Sequence, residues 1–168
     1  IVESGLLVGE HDALRFRHEL TRLAVERELP AHRSAGTHAV VLEQLLAAGC
    51  REDARLAYHA EGARDVAAVR RHAPAAARQA AALGAHREAA AQYERVIRFS
   101  EDDDPATLAG WYDLLVAESA LTDWQRAAEA GERALELWRA VGDLRRQGAA
   151  MSHLSRTLWR LRRPDTNG

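Results

Sequence analysis

Eight histidines, one cysteine, 25 acidic and 23 basic side chains supply the reactive chemistry of this 168-residue sequence. Every basic residue is arginine. These residues therefore lack the lysine of a phosphate-binding P-loop and the amine of a Schiff-base catalyst. A histidine metal site on a helix needs spacings such as His-x-x-x-His or Glu-x-x-His, and none occurs. His32 and His38 are six residues apart and fall on different helix faces, while His72 and His86 fall on different helices. The sequence thus predicts no metal site and no catalytic residue. Cys50 directly follows Gly49 at a helix C-terminus, where the helix dipole opposes a thiolate, so it reads as a structural thiol. His59, beside Tyr58, reads as an inter-helix packing residue. The many Glu and Asp residues read as solvated i, i+4 partners of Arg on helix surfaces.

Composition narrows the setting. A formal net charge of −2 offers no dominant field for nucleic acid or a membrane surface. One cysteine cannot close an internal disulfide, which suits a reducing cytoplasm. No apolar run approaches the roughly 18 residues of a spanning helix. Arg156, Arg160, Arg162 and Arg163 fit the C-terminal end of a helix dipole better than a DNA phosphate contact, since no aromatic platform is interleaved. The first residues, Ile1-Val2-Glu3, replace an initiator Met and suggest a segment of a longer polypeptide.

The elements that must position these groups are helices. Ala makes up about a fifth of the chain, and it is the best helix former. Aromatics are only 5%, which disfavours a large β-sandwich. The first 17 residues differ: Leu6-Leu7-Val8, the turn-like Gly9-Glu10-His11-Asp12 and alternating Leu14-Arg15-Phe16 predict a β-hairpin leaning on a following helix. From Pro30 onward helical periodicity predicts segments at 31–48, 52–61, 66–83, 85–99, 105–120, 123–140 and 143–162. Asp65, Asp104, Asp123 and Asp143 are the expected N-caps. Gly49, Gly62, Gly84 and Gly142 are the expected stops. Pro74 falls inside a helix and predicts a kink.

Short turns make consecutive helices antiparallel neighbours, and two pairs repeat. The segment 84–97 carries Ala89, Tyr93 and Val96. The segment 123–135 carries Ala127, Gly131 and Ala134, with Ala127 standing 38 residues after Ala89. Both resemble the second helix of a tetratricopeptide repeat. Trp111 and Leu114 stand where its first helix places Trp and Leu, whereas Ala73, Ala76 and Ala77 make the earlier unit degenerate. The predicted class is all-α: tetratricopeptide-like helical hairpins forming an α-solenoid over 30–163, after a short β-hairpin and helix over 1–29, with a disordered tail at 164–168. The first helix of each pair lines the concave side of such an array, so Arg71, Arg78, Trp111, Glu118 and Arg156 are the candidate partner-binding residues. The apolar face of the last helix, Met151, Leu154, Leu158 and Leu161 with Trp159 beside it, predicts a homodimer through an uncovered end.

Arg15-Phe16-Arg17-His18, followed by Leu20 and Ala24-Val25, resembles the end of the winged-helix module in large ATP-binding LuxR-type transcriptional regulators. Those are bacterial members of the STAND class of NTPases, in which a P-loop ATPase precedes the winged helix, the repeats follow, and a helix-turn-helix closes the chain. With the repeats, the resemblance covers nearly all of the sequence. It implies a non-catalytic sensor or protein-interaction region, with ATP or ADP held by the parent chain and no cofactor in these residues. The implied partners are a protein or small effector in the repeat groove and the parent's own ATPase domain, without direct DNA or membrane binding. His18 matches a winged-helix histidine that reaches the phosphates of bound ADP in related NTPases. The other reading of the repeats is a tetratricopeptide adaptor or scaffold unconnected to transcription.

Overall fold

A computed structural model describes residues 7–10, 13–16 and 31–162. His18, most of the 1–29 segment and the 164–168 tail lie outside the described residues. Two four-residue strands, β1 (Leu7–Glu10) and β2 (Ala13–Phe16), pair antiparallel with Leu7 opposite Phe16. The remainder is all-α. Seven helices follow among the described residues: α1 (Ala31–Ala47), α2 (Asp53–Ala63), α3 (Val66–Ala82), α4 (His86–Arg98), α5 (Pro105–Ser119), α6 (Trp124–Val141) and α7 (Leu144–Leu161).

Local chemistry explains where each helix starts and stops. The Asp65, Asp104, Asp123 and Asp143 side chains accept backbone N–H bonds from Ala68, Thr107, Arg126 and Arg146, satisfying donors that the first helical turn leaves open. Asp104 also accepts from Ala106, and Pro105 occupies the first helical position, where its missing N–H costs nothing. Gly49, Gly84 and Gly142 take φ of +70°, +73° and +81°, the left-handed geometry that ends a helix. Gly62 departs from expectation. It lies within the last turn of α2, and Arg64 takes the left-handed cap with φ 58° instead. The reason is steric: a Cβ at Gly62 would overlap the His38 ring of α1, so the glycine is spent on close approach between helices. Pro74 sits buried inside α3 without ending the helix.

The contacts run between consecutive helices, from α1 on α2 through to α6 on α7. The core divides accordingly into three successive clusters. Leu42, Leu56, Val69 and Val96 join α1 to α4; Tyr93, Leu115, Val116 and Ala130 join α4 to α6; Leu135, Trp138 and Ala150 join α6 to α7. Alanines fill the close contacts, with Ala57, Ala60, Ala73, Ala77, Ala89, Ala109 and Ala127 wholly buried. Small side chains let backbones approach, and each such contact gains dispersion without side-chain entropy loss.

Candidate functional site

Close helix approach changes the role of the charged residues. The sequence reading of solvated i, i+4 pairs is corrected, because most of the ion pairs among the described residues bridge different helices. Glu61 of α2 takes Arg95 Nε at 2.7 Å and also Arg98, both on α4. Burial pushes the Glu61 carboxyl up, but hydrogen bonds from Arg98 and Arg95 outweigh it and leave the group below the usual Glu value. Asp53 meets His72 at 2.8 Å, Arg126 meets Glu94 at 3.0 Å, and Arg70 of α3 reaches Asp103 in the loop after α4. Arg133 and Glu136 remain a local i, i+3 pair at 2.7 Å.

The histidines sort the same way. His59 of α2 and His38 of α1 bring their Nδ1 atoms to 3.1 Å, with Tyr58 edge-on to both rings. That is an inter-helix contact, as read for His59 and Tyr58. Burial, then the neighbouring His38 and Arg55, hold His59 below the ordinary imidazole value. His86 of α4 meets Glu118 of α5 at 2.8 Å. Cys50 is half-buried against the first core cluster.

None of the five predicted groove residues lines either of the recesses described below. Trp111 is a packing residue, half-buried between the first two clusters and 6.4 Å from the Tyr93 ring. Glu118 is engaged by His86, and its charge reaches Tyr93 together with that of Arg78. Arg71 is exposed on α3, and Arg156 is exposed on α7, where it donates to His153 Nδ1 at 3.1 Å. Leu114, placed where the repeat has its Leu, is 41% exposed.

Two recesses flank the α5–α6 pair instead. On the α4 side, a broad one of about 490 Å³ is lined by Ile97, Leu115, Tyr112 and Arg126 among others. On the α7 side, a tighter one of about 150 Å³ is walled by Val116, Gly131 and alanines, with Asp113, Arg146 and His153 as its charged or titratable groups. Asp113 Oδ2 accepts the Trp138 indole N–H at 3.0 Å. Burial pushes the Asp113 carboxyl up, partly offset by that hydrogen bond and by Arg146 and His153. Asp113 was missed by sequence reading because one acidic residue on a helix carries no signal. Its partner Trp138 is 25 residues away, beyond any helical spacing.

Among the described residues, no group of three or more His, Cys, Asp or Glu side chains is arranged to hold a metal ion. No helix there is long and apolar enough to cross a membrane. No family model, curated protein or solved structure matches this chain.

Proposed function

We infer that this chain is the end of a winged-helix module followed by a tetratricopeptide-like solenoid, serving as a non-catalytic sensor and interaction region of an ATP-dependent LuxR-type regulator. One observation carries the repeat reading. The Asp caps of α3, α5 and α7 stand at 65, 104 and 143, a constant step of 39 residues, and each accepts from the N–H three residues on. The second helices answer with a step of 38, α4 starting at His86 and α6 at Trp124. Ala89 and Ala127, the small residues at the helix crossing, are both wholly buried. Equal steps, equal caps and consecutive packing are what a stack of helical hairpins requires.

Arg15-Phe16-Arg17-His18 links this stack to the LuxR-type regulators, with β1 and β2 as the wing hairpin and His18 as the nucleotide-sensing position of the parent chain. In that setting a partner or effector seated among α3, α5 and α7 biases the ATPase switch. The reading frame on either side of residues 1–168 tests it. A Walker motif before and a helix-turn-helix after support the regulator; finding neither overturns it in favour of the adaptor reading. Self-association belongs to the same proposal. Met151, Leu158 and Trp159 on α7 are 51%, 41% and 57% exposed. Light scattering across a concentration series is expected to show a dimer, and Leu158→Asp to shift it to monomer.

A further inference from the structure

We propose that the recess between α5 and α7 binds a small zwitterionic α-amino acid, its ammonium on Asp113 and its carboxylate on Arg146 and His153. This deepens the sensor reading and rests on it only for calling the ligand an effector. The carboxylate is the first part of the case. Asp113 sits half-buried, and both of its contacts fall on one oxygen: Oδ2 accepts from Trp138 Nε1 and lies 3.6 Å from Arg146 Nη1. Among the described residues Oδ1 has no partner. A part-buried carboxylate with one oxygen open to solvent favours an incoming cation, and an ammonium brings three donors.

The opposite charge is supplied from α7. Arg146 is stacked on the Trp138 ring, its guanidinium 5.3 Å from the ring centroid. At 3.6 Å it stands beyond hydrogen-bond length from Asp113, so its fork of N–H donors is available to a second carboxylate. Its side chain is 58% exposed, which leaves room for it to turn onto a ligand. Arg156 donates to His153 Nδ1 at 3.1 Å. His153 lines the same recess, where its imidazole is a further polar group. One acid, one guanidinium and one imidazole match the two ends of a zwitterion. They match neither a simple amine nor a simple acid as well.

Size supplies the third part. A recess of about 150 Å³ has room for a small amino acid. The walls are Val116, Ala117, Gly131, Ala134, Ala149 and Ala150, an apolar lining suited to a methyl or isopropyl group.

The test is a titration of the whole chain with L-alanine, N-acetyl-L-alanine and L-alaninamide, read at the Trp138 indole N–H resonance. The first probe has both charges, the second lacks the ammonium and the third lacks the carboxylate. L-alanine is expected to shift the resonance saturably and to bind at least tenfold tighter than either analogue. Asp113→Asn keeps an acceptor for Trp138 and is expected to lose that binding at least tenfold. Ala149→Leu, at an exposed position, is expected to block the recess while leaving the melting temperature unchanged. No saturable shift, equal shifts from all three probes, or undiminished binding by folded Asp113→Asn or Ala149→Leu overturns the proposal. Each of these outcomes is independent of the flanking reading frame, so the site and the regulator reading fail separately.

Discussion

His38 and His59 show how one residue pair is set by its surroundings. Their facing Nδ1 atoms, 3.1 Å apart, accommodate one proton between them, and a second imidazolium would bring like charges into contact. The folded state holds His59 below 6.5, so the unfolded chain takes up the proton first. The stability tied to keeping His59 neutral, chiefly because burial penalises its charged form, is present above pH 6.5 and is lost as pH falls from there through the lowered folded value. Urea midpoints measured between pH 7.5 and 5 should therefore decline, and His59→Gln should flatten that decline. Glu61 has the opposite sign of charge but the same logic: its stability is present above its ordinary value of 4.5 and lost as pH falls through the lowered folded one. Glu61→Gln is expected to cost about 1–2 kcal/mol at pH 7 by denaturant unfolding, mostly through Arg95, because over half of Arg98 is exposed and solvent screens it.

At the scale of elements, α1 and α2 meet where Gly62 leaves space for the His38 ring. Gly62→Ala gains about 1 kcal/mol of helix propensity and costs about 1–3 kcal/mol of overpacking, so a net loss of stability is expected. The same variant should break the His38–His59 contact, seen as a change in both imidazole resonances. Caps and stops were legible in the sequence. Asp65, Asp104, Asp123 and Asp143 needed only their type and place, because capping is a contact within four residues. Gly62 was misread as a stop for a complementary reason. Its neighbour is His38, 24 positions earlier, and no local rule reports that distance.

Across the whole molecule, three clusters in series replace one centre, and each helix depends on the next. Native-state hydrogen exchange is expected to be slowest in α3 to α6 and faster in α1 and α7, whose main packing partners are α2 and α6 alone. Uniform protection across all seven helices would contradict serial packing. Among the described residues, helix number, the Asp N-caps and the 38-residue echo from Ala89 to Ala127 were set by the sequence alone, since propensity, capping and periodicity act within a few turns. The even 39-residue step of Asp65, Asp104 and Asp143 was equally present there, and its regularity shows once the three caps are compared. Which charges meet was decided only by the tertiary structure. Glu61 with Arg95, Asp113 with Trp138 and His86 with Glu118 are 34, 25 and 32 residues apart, and close alanine packing between helices is what brings them within reach. A helix face is known only when its neighbours are.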